Sequence, residues 1–103
     1  MESKFEIAPS GTGFAMTFQN GWTVSVQFGV MNYGSNRHKK ITESPNYTNT
    51  DDPWGSRTAE IAAWNGDEWY DFGEDTVQGY CTTNAVAAFI HKVEAFPARQ
   101  LAK

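Results

Sequence analysis

Apolar and polar positions alternate with period two from Phe14 to Val26, and the alternation breaks once, around Asn20 and Gly21. Period two is the signature of a half-buried strand, so the stretch predicts a β-hairpin. The pattern also selects the loop. A two-residue loop of Asn20 and Gly21 sets Phe18 opposite Thr23 and Met16 opposite Ser25, mixing apolar and polar side chains on both faces. A three-residue loop of Gln19, Asn20 and Gly21 sets Phe18 against Trp22, Met16 against Val24 and Phe14 against Val26. One face is then wholly apolar, and Ala15, Thr17, Thr23, Ser25 and Gln27 are left for the solvent face. Gly21 takes the left-handed position that closes such a turn, and burial of the apolar face forbids a slip by one residue.

The other elements hang from this hairpin. Lys4 to Ala8 alternate loosely and end at Pro9, which predicts a short first strand suited to a sheet edge. Ala59 to Trp64 and Trp69 to Phe72 form a second hairpin with its turn at Asn65 and Gly66. Thr76 to Tyr80 predict one more short strand. Thr82 then opens a helix as its N-cap, with Val86, Phe89, Ile90 and Val93 on one face, and Pro97 stops it. The expected fold is α+β: two antiparallel hairpins in one sheet of about five strands, packed by a single C-terminal amphipathic helix. Residues 1–103 are expected to form a single domain, with a long polar loop over about 33–57 and a frayed tail at 98–103. A loop of that length in a compact domain is unusual, and such loops are generally functional or disordered.

Composition narrows the function classes. A chain of 103 residues buries roughly 65% of its unfolded surface, enough for a core without staples. Aromatic residues make up 15%, among them four Trp and seven Phe. The single Cys81 excludes an internal disulfide. With no leader and no apolar run of membrane-spanning length, the expectation is a soluble protein of a reducing cytoplasm. The formal charge of −4 argues against a direct nucleic-acid binder, which needs a basic patch.

The run FQNGWTVSVQFG, followed by an Asn-Tyr pair, then AEIAAW with an Asn-Gly turn and WYDFG, and a threonine-capped terminal helix, resembles a group of small uncharacterised proteins encoded by tailed bacteriophages and prophages. The resemblance covers the chain from Gly13 to about Pro97, and the stretch from Arg37 to Arg57 is longer than the type. It implies a lineage and no particular chemistry. By analogy of origin it suggests a counter-defence or host-takeover factor acting in the cytoplasm of the infected bacterium.

Candidate sites follow from residue types. Glu60, Asp67, Glu68, Asp71, Glu74 and Asp75 lie in a stretch, 58–91, without one Lys or Arg. Such a surface can imitate the phosphate charge of nucleic acid and occupy a basic groove on a host protein; the plainer account is solvated turn charges that keep an aromatic-rich domain soluble. The long loop offers Arg37, His38, Lys39 and Arg57, types that bind phosphate, with Tyr33, Tyr47 and Trp54 as stacking faces. The plainer account there is a loop of scattered charges.

Cys81 precedes a helix N-terminus, where the dipole lowers a thiol pKa, yet His91 is mid-helix with nothing to orient it, so a buried, inert cysteine is expected. The histidines stand in separate elements, so neither a metal site nor a cofactor is expected, and no catalytic residue is assigned. The first expectation is therefore a non-enzymatic protein that binds and inhibits a host component, a defence or nucleic-acid-processing protein, through its acidic aromatic surface. The alternative is sequestration of a small anionic, nucleotide-like signal. Open sheet edges also allow a homodimer or higher homo-oligomer.

Overall fold

The computed structural model describes residues 3–7, 13–28, 34 and 55–98. Apart from residues 34 and 55–57, the long loop lies outside the described residues, as does the chain beyond Ala98. The elements are β1 (Lys4–Ile7), β2 (Gly13–Thr17), β3 (Thr23–Gln27), β4 (Thr58–Asn65), β5 (Glu68–Trp69), β6 (Val77–Thr82) and α1 (Thr83–Glu94). They build one antiparallel sheet in the order β1-β2-β3-β4-β5, with β6 also paired to β4, and a single C-terminal helix. Since β3 occupies one side of β4, the short strands β5 and β6 share the other, β5 along its end and β6 along its start.

The first hairpin has the register that the apolar pattern requires. Phe14 pairs with Val26, Met16 with Val24 and Thr17 with Thr23, and the Phe18 amide donates to the Trp22 carbonyl at 2.9 Å. Gly21 closes the turn at φ +91°, donating to the Phe18 carbonyl. The polar face departs from expectation: Thr17, Thr23 and Ser25 are buried. Small side chains and internal hydrogen bonding make this tolerable. The Thr17 and Thr23 hydroxyls bond each other at 2.8 Å, and Gln27 Nε2 donates to Ser25 Oγ at 2.9 Å. A hydroxyl that is paired on burial avoids the desolvation penalty an unpaired one would carry.

The second hairpin has the register its strand bounds imply, Trp64 against Trp69, with the turn centred one residue beyond the Asn-Gly dipeptide. Asn65 pairs with Glu68 and Trp64 with Trp69, so the loop is Gly66 and Asp67, with Gly66 at φ +63°. A loop of Asn65 and Gly66 would set Trp64 against Asp67. The observed register instead brings the two indoles to 5.0 Å between ring centroids and buries Asn65, whose side chain donates to the Asn20 carbonyl at 3.5 Å. Aromatic packing outweighs local turn preference. Regular pairing of β5 ends at Trp69, short of Phe72, although the Tyr70 amide still donates to the Ala63 carbonyl.

In β6, Gln78 pairs with Ile61 and Cys81 with Ala59, so two residues, Gly79 and Tyr80, stand against Glu60. This is a β-bulge, and Tyr80 absorbs it at φ +56°. The extra residue resets the alternation, returning Cys81 to the buried side beside Ala59.

Helix α1 starts where Thr82 accepts from the Ala85 amide at 3.2 Å. Phe89 and Val93 are buried, and Val86 and Ile90 pack beside them onto Val24, Val26, Ile61 and Ala63. The far end is capped from outside the helix. Asn20, in the first hairpin turn, directs Nδ2 at the carbonyls of Val93 (2.9 Å), Glu94 (3.2 Å) and Phe96 (3.0 Å), while its Oδ1 accepts from the Trp22 amide at 2.9 Å. Phe96 then packs edge-on against Trp22 with centroids 5.2 Å apart. The last carbonyls of a helix have no intrahelical donors, so this carboxamide fills a need the helix cannot meet itself.

Removing the carboxamide takes this donor from the Glu94 and Phe96 carbonyls, while the Val93 carbonyl keeps the Phe96 amide at 3.1 Å. Asn20→Ala is expected to cost about 1–3 kcal/mol, read as a fall in Tm of about 5–15 °C by calorimetry. Asn20→Asp keeps the shape, loses the donor and sets a negative charge at the negative end of the helix, so at neutral pH it is expected to be the less stable of the two.

Candidate functional site

Five of the six acidic candidates gather on one margin of the sheet. Asp67 is in the β4–β5 turn, Glu68 is in β5, and Asp71, Glu74 and Asp75 occupy the connection from β5 to β6. All five are exposed. Glu60 is apart from them: it sits near the start of β4, opposite Gln27, five residues and about 17 Å of strand from Asn65.

The margin owes its shape to local bonds and to aromatic packing beneath it. The Asp71 carboxylate accepts from the Gly73 amide at 2.7 Å, the Asp75 carboxylate from the Thr76 amide at 2.7 Å, and the Phe72 amide donates to the Asp75 carbonyl at 3.0 Å. Tyr70 and Phe72 turn inward and pack on Phe89 of α1, with centroids 5.1 Å away in both cases. The carboxylates therefore project from a loop with an anchored base.

Among the described residues, no ion pair neutralises these five side chains. The nearby helix contributes Lys92, whose Nζ donates to the Tyr70 hydroxyl at 2.8 Å. Between Glu68 and Asp71 in the chain, Trp69 is 48% exposed, held by its contact with Trp64. Sequence reasoning assigned the acids and missed Trp69 as a site residue, although its place between Glu68 and Asp71 was the available signal.

The basic and aromatic set of the alternative site lies largely outside the described residues: Tyr33, Arg37, His38, Lys39, Tyr47 and Trp54 are among the undescribed positions. Arg57 is described. It stands, exposed, at an open groove of about 270 Å3 with Phe14, Val26, Phe28, Val86 and Ile90 in its walls.

Cys81 lines the floor of that groove and is buried, with Sγ directed at the Gln78 and Gly79 carbonyls at 3.7 Å. Burial pushes its thiol pKa up, against a smaller downward pull from the contact with Gln78. The helix N-terminus thus fails to activate it. His91, about 12 Å along the helix axis from Thr83, faces Glu94 at 3.7 Å instead.

A thiol that is protonated and enclosed in the native state is expected to resist iodoacetamide at pH 7 and to react once guanidinium unfolds the chain, as mass spectrometry would show. Because the folded thiol holds its proton more tightly than the unfolded one, its contribution to stability persists below the ordinary thiol pKa and declines as pH rises past it.

Comparison with known proteins finds no family model, no curated protein and no solved structure that matches this chain, so the chemistry of the margin and of the groove stands on the residues themselves.

Proposed function

We propose that this chain is a non-enzymatic binding protein that inhibits a host component through the acidic margin at β5 and the β5–β6 connection, in keeping with the phage-protein resemblance of its sequence. The observation that carries this is that Asp67, Glu68, Asp71, Glu74 and Asp75 are exposed along one margin and none is neutralised by a described cation, with Trp69 of the same strand exposed as well. Carboxylates at this density steer a basic partner into contact and set its orientation, while an exposed indole supplies the apolar anchor that charge alone lacks. The anchored loop base favours binding because little order must be gained on association. The fitting partner is a protein with a basic groove, of the kind that nucleic-acid-processing and defence proteins use to hold phosphate.

The test is restoration of phage plating in a bacterial host whose defence the protein blocks, joined to the salt dependence of partner capture. Asp67→Asn, Glu68→Gln and Asp71→Asn made together are expected to abolish both inhibition and capture while the circular dichroism spectrum and Tm hold. Trp69→Ala alone is expected to weaken capture by about tenfold or more. Full inhibition by the folded triple variant contradicts the proposal.

A second reading rests on Arg57 at the mouth of the apolar groove: capture of a small anionic molecule whose apolar part enters the groove while its charge meets the guanidinium. A ligand that binds only the native state must raise Tm, so a panel of linear and cyclic nucleotides is expected to include at least one that does so in the wild type and not in Arg57→Ala. A flat panel removes this reading and leaves the first untouched.

A further inference from the structure

Strand β1 closes the sheet on the side opposite the acidic margin. It pairs with β2 along one side only, and among the described residues nothing bonds to its other side. Natural edges are usually blunted by charge, proline or a bulge, because an open edge recruits further strands. Here the strand is short and carries charge, but the charges are of both signs, so a copy with the opposite order of signs meets attraction and not repulsion. Its sequence, Lys4-Phe5-Glu6-Ile7, alternates charge with large apolar side chains, and Lys4 and Glu6 balance each other at 3.6 Å. Phe5 and Ile7 are 75% and 82% exposed. Both lie on the apolar face, opposite Met16 and Phe14, yet α1 packs on β3, β4 and β6 and leaves this end of the face without helix cover.

We propose that the free edge of β1 binds β1 of a second copy of this chain, antiparallel about a two-fold axis at Phe5. Among registers centred on Lys4, Phe5 or Glu6, the charge pattern selects this one. Registers that pair Phe5 with Glu6 or Lys4 with Ile7 set apolar side chains against charged ones and invert one sheet relative to the other. Of the registers that keep both apolar faces on one side, those centred on Lys4 or on Glu6 place like charges directly opposite. Centring on Phe5 places Lys4 of each copy against Glu6 of the other, Phe5 against Phe5, and brings the two uncovered Phe5–Ile7–Phe14 patches side by side between the two helices. The strand is self-complementary, as an isologous contact must be.

Sedimentation equilibrium of the full chain from about 5 μM to about 500 μM is expected to show a monomer–dimer equilibrium, a short edge contact sitting at the weak end of specific interfaces. Lys4→Glu and Glu6→Lys are each expected to weaken dimerisation by at least about tenfold, since each turns two attractive cross-strand pairs into repulsive ones. Mixed in equal amounts, the two variants are expected to form a heterodimer, because one strand then carries only negative and the other only positive side chains. The double exchange Lys4→Glu/Glu6→Lys is expected to restore the homodimer. These positions are exposed, so the circular dichroism spectrum should hold throughout. A monomer across the whole range overturns the proposal. So does a dimer indifferent to both single reversals, and so does one broken by Phe5→Asp but not by the reversals, which would mean that the apolar faces pack on each other instead of the edges pairing.

Discussion

The Asn20 carboxamide joins the two parts of the molecule that local sequence builds separately. Its oxygen fixes the first hairpin turn through the Trp22 amide, and its nitrogen serves three carbonyls at the end of α1, more than seventy residues away. Helices of three turns are marginal alone, and hairpins are too, so each needs the other's apolar face. Burial of Val24, Ile61, Ala63, Phe89 and Val93 supplies that need without specifying direction. The carboxamide adds direction, because its hydrogen bonds to the helix end are made in one arrangement only, and the edge-on packing of Trp22 on Phe96 completes the same corner.

That clamped middle leaves the two margins of the sheet to differ. One margin, at β5 and its connection to β6, is negative, aromatic and held from below by Tyr70 and Phe72 on Phe89. The other, β1, is charge-balanced, apolar on one face and, among the described residues, paired along one side only. Neither margin contributes to the buried cluster through its charged residues, so both can vary with little cost to folding. A division of this kind suits a small binding protein: the middle supplies rigidity, and the margins supply recognition.

Much of the fold was legible because apolar side chains admit few consistent arrangements. Only a three-residue loop puts Phe14, Met16, Phe18, Trp22, Val24 and Val26 on one face, and Thr82 with the Val86–Val93 spacing marks one helix. The strand bounds of the second hairpin already set Trp64 against Trp69, whereas the pairing of Asn65 with Glu68, which centres the turn on Gly66 and Asp67, depends on the tertiary burial of Asn65. The bulge at Gly79 and Tyr80 was hidden for a related reason: it exists to return Cys81 to the core and has meaning only against Ala59. For the site, the acidic concentration was visible in composition. Its division was not, since Glu60 separates from the other five only once β4 is laid out as a strand, and the bond from Asn20 to the helix end depends on which turn passes beneath which terminus.

Hairpin, β4 and helix are expected to form one cooperative unit closed by Asn20, with the margins outside it. Native-state hydrogen exchange of the dilute wild-type protein tests this most directly. Amides of β3, β4 and α1 should open together with the highest free energy, and those of β1 and of the β5–β6 connection should exchange at least about a hundredfold faster. A helix that opens independently, at a free energy well below that of β3 and β4, would contradict the account.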